Sequence, residues 1–354
     1  MGMRRRRYRV ALAGYYGFGN LGDELLLRAS LESLERCGVA REAVVVLSGD
    51  PEGTARDFSV AAVSRWSPGE VCRALASSET LLLGGGGLFQ DITSLRSCLW
   101  YWGLVRLACL CGARPWALGQ SIGPLRTRTA RRLARGALSS CSVIHVRDDP
   151  SMQWAERLGL RAIRGEDLAL TLAMPAQGAS EGAGGKLLLN LRPVSREEMA
   201  CFLTLAAPCA RAFNGEVIGV ALSGEDRVLL EQMQREGKLR LSRVALVKGM
   251  EDIASLWSGA SAALGMRLHF AVISSIYKVP LAVLPYDPKV AAFAGRVGAP
   301  CIKAPLNGPS SGSWTAACCP RLPQSQEALR VELDGICRTV LGTAKEEERP
   351  EGAV

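Results

Sequence analysis

Short, continuously apolar runs alternate with longer amphipathic segments along the first half of the chain. Arg9–Gly14, Ala43–Leu47 and Thr80–Leu83 are runs of the first kind, which are typical of parallel strands buried on both faces. The segment Asp23–Cys37 has the spacing of an amphipathic helix. Strands that alternate with helices in this way predict a doubly wound α/β domain.

The same alternation restarts after a glycine-rich segment. Pro175–Gly185 (PAQGASEGAGG) has no apolar periodicity, as expected of a linker. We therefore predict an α/β protein with two Rossmann-like doubly wound domains, over residues 1–174 and 186–344, joined by a linker at 175–185. The charged segment 345–354 is predicted to be a disordered tail.

Composition narrows the class of protein. The 354 residues are 48% apolar and 22% charged, which fits globular domains with sizeable cores. The net charge of +9 indicates either compositional bias or an acidic partner.

The 12 cysteines include no C-x-x-C pair, so we expect reduced, buried thiols. The apolar run Val10–Ala13 is too short for a signal peptide, and we expect a cytoplasmic protein.

The segment Gly14–Glu24 (GYYGFGNLGDE) follows the first predicted strand and opens a helix. Its G-x-G-x-x-G spacing permits a dinucleotide site, but Asp23 and Glu24 would repel a pyrophosphate at the helix N-terminus. A second interpretation is a loop that admits a sugar, with Asn20, Asp23 and Glu24 binding hydroxyls. A third is a tight turn before a capped helix.

Two further loops follow predicted strands, Gly84–Asp91 (GGGGLFQD) and Gly119–Pro124 (GQSIGP). Ligands of doubly wound sheets bind at this carboxyl edge, and clustered glycines let a backbone approach a ligand closely. Gln90 and Asp91 are candidates for binding sugar hydroxyls, with Asp91 alternatively a base. The arginines of Arg126–Arg135 indicate either a solvated helix or a surface for anionic lipid or diphosphate.

Arg147 follows the predicted strand Val143–Val146 and precedes two aspartates. Arginine suits bidentate recognition of carboxylate or phosphate, although pairing with the neighbouring acids is an equally simple explanation. His145, inside the apolar strand, is expected to be a satisfied core residue.

The segment Gly265–His269 (GMRLH) holds one of the two histidines of the chain, at the start of a predicted helix. Helix amides together with Arg267 favour a bound phosphate or carboxylate, and His269 is suited to passing a proton near neutral pH. Lys289 follows the next predicted strand and is expected to reach the same anion.

Taken jointly, the motifs GYYGFGNLGDE, GGGGLFQD, GQSIGP, VRDDPS, GMRLH and LPYDPK resemble those of the polysaccharide pyruvyltransferase family, in particular its CsaB-type branch. The resemblance implies a GT-B-like fold and transfer of pyruvate from phosphoenolpyruvate, as a 4,6-ketal, to a sugar of a cell-wall polymer precursor. In this branch the sugar is N-acetylmannosamine on a lipid-diphosphate-linked saccharide, and the product anchors S-layer proteins. No metal, no further cofactor and no nucleic acid partner are expected.

The resemblance also implies roles for individual residues. It assigns proton transfer to His269. It assigns phosphoenolpyruvate binding to Arg147, Arg267, Leu268 and Lys289. The residues expected to bind the acceptor are Tyr16, Asn20, Asp23, Glu24, Gly86, Gly87, Gln90, Asp91 and Gln120.

Three alternatives stay open at the level of sequence. A nucleotide-sugar glycosyltransferase of the same fold also needs cations for its diphosphate leaving group. A non-catalytic binder of wall precursors and an NAD-dependent oxidoreductase are the others. The basic segments further suggest peripheral contact with an anionic membrane, at the inner face of the plasma membrane.

Overall fold

Parallel strands form two separate sheets in the computed structural model, which describes residues 6–92, 94–175, 185–302 and 320–342. Both sheets alternate with helices, as the apolar runs predict. Most of the predicted linker, residues 176–184, and the whole predicted tail lie outside the described residues.

The first sheet contains eight strands among the described residues, in the order β3-β2-β1-β4-β6-β7-β8, with β5 paired to β6. The strands are β1 (Tyr8–Ala13), β2 (Val44–Ser48), β3 (Ala61–Ser64), β4 (Ser78–Leu83), β5 (Gly86–Phe89), β6 (Arg114–Ile122), β7 (Ile144–Val146) and β8 (Ile163–Arg164). The accompanying helices are α1 (Leu21–Arg36), α2 (Pro51–Phe58), α3 (Pro68–Ala76), α4 (Arg96–Leu110), α5 (Arg128–Leu138) and α6 (Asp149–Arg157).

The second sheet has the order β11-β10-β9-β12-β13 within the described part of the chain. Its strands are β9 (Lys186–Asn190), β10 (Glu216–Ala221), β11 (Arg243–Leu246), β12 (Ala260–Gly265) and β13 (Leu281–Val283). Its helices are α7 (Arg196–Ala212), α8 (Gly224–Arg235), α9 (Met250–Trp257), α10 (Leu268–Ile276) and α11 (Pro288–Val297), and a last helix, α12 (Gln326–Leu341), follows.

Each sheet reverses its strand order once. The reversal lies between β1 and β4 in the first sheet and between β9 and β12 in the second. In doubly wound sheets such a switch point leaves a crevice at the carboxyl ends of the strands, where ligands bind. The two Rossmann-like sheets confirm the predicted fold class, and their switch points identify the places to look for a site.

Burial explains why these runs form strands. Consecutive residues, which point to opposite faces of a strand, are almost completely buried in both sheets: Val10 and Ala11 on β1, and Leu187 and Leu188 on β9. Helices therefore cover both faces of each sheet. Helix α5 shows the complementary surface pattern: its alanines are buried, whereas its arginines are exposed.

Two features differ from the predicted loops. Gly86–Phe89 forms the strand β5, and β6 extends to Ile122, so both glycine-rich loops are shorter than expected. The pairing of Gly86 with Gln120 explains the difference, because ladder hydrogen bonds between neighbouring segments decide strand formation where local propensity is weak.

The chain folds into two compact units, and their boundaries differ from those of the two predicted domains. The first unit comprises the described residues within Met1–Phe18, Leu25–Thr171 and Gln326–Val354, and the second those within Gly19–Glu24 and Leu172–Ser325. Helix α12 therefore belongs to the first unit, although its sequence position predicted the second domain. The short segment Gly19–Glu24 groups with the second unit although it precedes most of the first.

Buried polar contacts hold α12 in the first unit. Arg36 donates two hydrogen bonds to the Asp334 carboxylate, at 2.8 and 3.1 Å, and Ser33 donates a third at 2.8 Å. His145 is completely buried and accepts a hydrogen bond on Nδ1 from the Gly119 amide. Its Nε2 then carries the proton and lies 3.7 Å from Glu332 Oε1 on α12.

The described residues contain ten cysteines, none of them in a disulfide. Five of the ten cysteines there are buried, whereas Cys72 and Cys109 are exposed, so the expectation of buried thiols holds only in part. No helix in residues 6–92, 94–175, 185–302 or 320–342 has both the length and the apolar character that crossing a bilayer requires.

The interaction with His145 lowers the pKa of Glu332 below its usual value of 4.5, with a smaller contribution from the charge of Arg164, against the effect of burial. Ionised Glu332 therefore stabilises the fold above pH 4.5, and this stabilisation is lost as the pH falls through the lowered pKa. We expect Glu332→Gln to reduce the melting temperature at pH 7, with the difference from wild type shrinking below pH 4.5. The measurement is the melting temperature of both proteins between pH 7 and a pH below 4.5. Glu327→Gln, a change at an exposed glutamate of the same helix, is the control. A difference in melting temperature that does not depend on pH would contradict the stabilising role of ionised Glu332.

Candidate active site

The switch point of the second sheet holds a buried arginine. Arg267 follows β12, and its amide donates a hydrogen bond to Asn190 Oδ1, at the end of β9, over 3.0 Å. Its Nε and Nη2 each donate to the Asp226 carboxylate at 2.6 Å, and Nη2 also donates to Ser223 Oγ at 2.9 Å. Asp226 and Ser223 thus hold the guanidinium, and Asn190 holds the backbone of the same residue.

The charge of this arginine is secured by its partner. Burial alone would lower the pKa of Arg267, but the hydrogen bonds and negative charge of Asp226 raise it above its usual value. Nη1 makes no hydrogen bond with any described residue, and it is not among the buried unpartnered atoms. One edge of the guanidinium is therefore available to an external anion.

Helix α10 begins directly after Arg267, which occupies the N-cap position. The amides of a first helical turn have no partner within the helix and favour an anion. Leu268, the first residue of α10, is buried and anchors the turn. His269, the next residue, is half-buried. The predicted cation, amides and histidine thus lie within three consecutive residues at the switch point.

The imidazole of His269 packs against Gly22. A Cβ atom at Gly22 would overlap the imidazole at Nδ1, so only glycine leaves room for the ring. Leu21 anchors the same segment, because its amide donates to the Leu222 carbonyl at 3.0 Å, next to Ser223. The close approach explains why Gly19–Glu24 groups with the second unit.

The neighbouring predicted acceptor residues belong to this segment. Asn20 accepts backbone hydrogen bonds from Asp23 and Glu24 and so starts α1, and its side chain also bonds the Asp23 carboxylate. All three residues are half-buried. They lie on the short chain segment that carries Gly22, beside the imidazole of His269.

Lys289 follows β13, the strand next to β12. Its Nζ lies 3.3 Å from the Asp287 carboxylate, which also caps α11 by accepting a hydrogen bond from the Lys289 amide. The side chain is partly exposed, and its carboxyl-edge position is the one predicted. Its contact with an anion stays a prediction.

Arg147 belongs to the first unit and is buried. Its Nη1 donates to Asp167 Oδ2 at 2.6 Å and its Nε to Ser121 Oγ at 2.7 Å, while Asp148 lies 4.0 Å away. Of the two interpretations of the sequence, the geometry favours pairing with an acid. The acid is one 20 residues further along the chain, so local sequence could not identify it.

Tyr16 fills the switch point of the first sheet. It is completely buried, and a Cβ at either Gly14 or Gly84 would overlap its ring. A ligand could not reach this side chain without movement of the loop, which corrects its predicted role as an acceptor contact. The same occupancy disfavours the dinucleotide interpretation, because a pyrophosphate binds at this crevice in dinucleotide-binding domains.

Gln120 is also buried and supports the neighbouring strand. Its Nε2 donates to the carbonyl groups of Leu83 and Gly84, so its predicted contact with an acceptor is replaced by a contact with protein backbone. Gly86 is buried in β5, whereas Gly87 is half-buried.

Asp91 acts as a cap in this structure. Its carboxylate accepts hydrogen bonds from the amides of Arg126 and Thr127 and from the Thr127 hydroxyl. Against the effect of burial, these bonds lower the pKa of Asp91 below its usual value, which makes it a poor base. Gln90, one residue earlier, accepts from the Ile92 amide and remains half-buried.

Three residues of the site were not predicted from the sequence: Asn190, Ser223 and Asp226. Asn190 ends an apolar strand, and Ser223 and Asp226 follow another, so each occupies a carboxyl edge. That pattern is the signal that could have found them. The pairing of Asp226 with Arg267 needs the tertiary structure, because the two are 41 residues apart.

Similarity to known proteins identifies the family of this chain. The family model for polysaccharide pyruvyl transferase matches residues 20–288, which is more than half of the chain and includes the Gly22, Arg267 and His269 cluster.

The chain belongs to the polysaccharide pyruvyl transferase family.

Solved structures similar to this pyruvyl transferase family member share its fold at low identity. Anabaena HepE in complex with UDP-glucose has 12% identity and a TM-score of 0.60, over 95% of this chain and 100% of that one. A UDP-GlcNAc 2-epimerase of Methanocaldococcus jannaschii has 11% identity and a TM-score of 0.60, over 94% and 99%. A glycosyltransferase of Rickettsia africae has 9% identity and a TM-score of 0.57, over 96% and 100%. No curated protein sequence matches the chain.

These neighbours support a GT-B fold with two Rossmann-like domains. At such low identity the likeness concerns the fold alone, and the family membership indicates a transferase that acts on polysaccharide.

Gly22→Ala is expected to displace the His269 imidazole, because a methyl group would overlap Nδ1. With only two histidines in the chain, the ring protons of each can be followed by NMR. We expect the His269 signals to move while those of His145 stay. Gly224→Ala is the matched control, since nothing beyond its chain neighbours and its own helix lies within 4 Å of the added methyl group; unchanged His269 signals in the Gly22 variant would refute the contact.

Asp226→Asn removes the negative partner of a largely buried guanidinium. Breaking one side of such a pair costs about 3 kcal/mol in free energy of unfolding. Urea unfolding should show a loss of this size, whereas Glu225→Gln, an exposed neighbour on the same helix, should change it by less than about 0.5 kcal/mol. Equal effects of the two variants would show that Arg267 does not depend on Asp226.

Proposed function

We propose that this protein transfers pyruvate from phosphoenolpyruvate, as a 4,6-ketal, to a sugar of a lipid-diphosphate-linked saccharide. The proposed sugar is N-acetylmannosamine, and the proposed role is that of the CsaB-type branch, in which the product supports anchoring of S-layer proteins. The reaction would take place at the inner face of the plasma membrane, with no cofactor other than the donor substrate.

The observation that carries the proposal is the cluster at the start of α10. Arg267 is held by Asp226 with one guanidinium edge open, and the first-turn amides of α10 lie beside it. Phosphoenolpyruvate carries a carboxylate and a phosphate, both of which suit arginine and helix amides. Lys289, at the edge of the adjacent strand, supplies a second cation for the same substrate.

His269 supplies the proton that the chemistry requires. Donation of a proton to the methylene carbon C3 leaves C2 of the donor electrophilic, and a sugar hydroxyl adds there with loss of its proton. The C2–O bond to phosphate then breaks, and the second hydroxyl adds to C2 with loss of its own proton. The products are the ketal and inorganic phosphate, and the cations stabilise the negative charge of the leaving group.

Gly22 brings the acceptor segment to the proton donor. Asn20, Asp23 and Glu24 surround the glycine that packs on His269, and their carboxylate and amide oxygens suit sugar hydroxyls. Asp91 and the glycine loop of the first unit remain candidates for acceptor contacts. The contact of Arg147 with phosphoenolpyruvate also stays a prediction, and the proposed step is built from the second unit alone. The exposed arginines of α5 are the proposed membrane-facing surface.

His269→Ala should lower the rate of phosphate release from phosphoenolpyruvate by about a thousandfold, the contribution of a positioned proton donor. The assay follows inorganic phosphate with a lipid-linked saccharide ending in N-acetylmannosamine as acceptor. Lys238→Ala, which removes an exposed cation of the same unit, is the control and should retain wild-type rates.

Two outcomes would reject the proposal. Full activity of His269→Ala would remove the histidine from the chemistry. Release of UDP from a UDP-sugar, with no turnover of phosphoenolpyruvate by the wild-type protein, would support the nucleotide-sugar glycosyltransferase instead.

A further inference from the structure

Helices α4 and α5 form one basic surface on the first unit. Residues 92–146 contain eight arginines and no aspartate or glutamate. Because α4 precedes β6 and α5 connects β6 to β7, right-handed crossovers place both helices on the same face of the first sheet. They lie side by side there, since a Cβ atom at Gly136 of α5 would come within 3.1 Å of Nε1 of Trp102 on α4.

The arginines of α5 lie on the outer side of the helix. Arg128, Arg132 and Arg135 are spaced by four and three residues, which brings them onto one face. All three are exposed, whereas the alanines on the opposite side of the helix are buried. No acidic side chain of the described residues pairs with any of the three. Their charges are therefore open to an external partner.

The acidic residues that bracket this stretch of sequence are engaged within the protein. Asp91 accepts hydrogen bonds from the backbone amides of Arg126 and Thr127. Asp148 is buried and accepts a hydrogen bond from the Ser151 amide. Neither carboxylate pairs with an arginine side chain of α5, so the outer side of that helix keeps its positive charge.

Helix α4 adds apolar side chains to this surface. Its outer stripe follows an alternating spacing of three and four residues and consists of Arg96, Leu99, Gly103, Arg106 and Leu110. Leu99 is 53% exposed and Leu110 83%, and they are about 16 Å apart along the helix axis. Leucines aligned with arginines on an outer helical face are typical of a helix that lies at a membrane interface.

This combination of side chains selects one class of partner. The arginines repel a second copy of the same face and attract an anionic surface. An anionic bilayer offers phosphate groups to the guanidinium groups and, beneath them, an apolar layer to the leucines. A single-stranded nucleic acid would also attract the arginines, but it binds by stacking on aromatic rings rather than on leucine.

We propose that α4 and α5 together bind an anionic phospholipid surface. The arginines of α5 contact lipid phosphates, and Leu99 and Leu110 of α4 enter between the head groups. The inference rests on the proposed function, in which the acceptor is linked to a lipid, and it adds the apolar contacts of α4 to the charge of α5. All of these residues belong to the first unit.

The test measures binding of the full chain to vesicles by flotation. The vesicles contain either phosphatidylglycerol mixed with phosphatidylcholine or phosphatidylcholine alone, and the wild-type protein should bind the anionic ones selectively. Arg132→Gln should weaken this binding about fivefold, the contribution of one basic residue near such a surface. Leu110→Ser should weaken it about tenfold, because an inserted leucine side chain leaves water.

Two matched controls make the same kinds of change elsewhere on the first unit. Arg56→Gln removes an exposed arginine of α2, and Val331→Ser an exposed valine of α12. Helix α2 connects β2 to β3, in the direction opposite to that from β6 to β7, and therefore covers the opposite face of the sheet. Helix α12 packs on α1, which connects β1 to β2 and covers that same opposite face. Both controls should retain wild-type vesicle binding.

Three results would overturn the inference. These are equal binding to the two kinds of vesicle, equal losses in Arg132→Gln and Arg56→Gln, and unaltered binding in Leu110→Ser. Binding of polyuridylate in place of vesicles, dependent on Arg132 but not on Leu110, would make a nucleic acid the partner instead. Because Arg132 and Leu110 are exposed, both variants should keep the wild-type melting temperature, so that a loss of binding reports on the surface.

Failure of the proposed function would give a different result. Vesicle binding through Arg132 and Leu110 without phosphate release from phosphoenolpyruvate would reject the proposed function and leave the lipid-binding surface standing. Phosphate release with a soluble methyl glycoside of N-acetylmannosamine as acceptor, but no binding to anionic vesicles, would do the reverse.

Discussion

The bidentate pair between Arg267 and Asp226 is the interaction on which the candidate site depends. Burying a guanidinium is costly unless its charge is compensated, and Asp226 compensates that of Arg267 through two hydrogen bonds of 2.6 Å. Asn190 holds the Arg267 amide at the same time, so the residue that caps α10 cannot turn away from the switch point. The open guanidinium edge, the amides of the first turn of α10 and the imidazole of His269 all take their positions from this constraint.

The two sheets share a topology, but their crevices are occupied differently. In the first sheet Tyr16 fills the switch point, since Gly14 and Gly84 have no side chains to exclude its ring. In the second sheet Gly265 leaves room for Phe270 inside the core, and the crevice keeps charged and titratable groups. Duplicated architecture therefore yields one crevice closed by an aromatic ring and one that presents a cation, which is why a shared fold does not by itself imply a shared chemistry.

Local sequence context correctly predicts the position of some residues of the site but not the contacts of others. Arg267, Leu268 and His269 could be selected because a strand, a short turn and a helix start within a few residues, and that local order survives in the structure. Arg147 looked equivalent by the same reasoning, yet it pairs with Asp167 and Ser121 in the first unit. The glycine motif at Gly84–Asp91 predicted an open loop, but pairing of Gly86 with Gln120 draws part of it into the sheet. Arg65 carried no motif, and the four aromatic rings around it come from the loops after β1 and β3 and from α4.

Sequence alone determined the alternation of apolar strands with helices, the two Rossmann-like domains and the motif that places an arginine and a histidine at a helix start. These follow from periodicity and from local turn chemistry, which neighbouring residues specify among themselves. Tertiary structure decided which charges are paired, which rings are exposed and which glycine admits the imidazole. Asp226 reaches Arg267 across 41 residues, and Gly22 meets His269 from the far end of the chain. Such contacts depend on the order of strands in the sheet, which burial and ladder pairing settle only when the whole chain has folded.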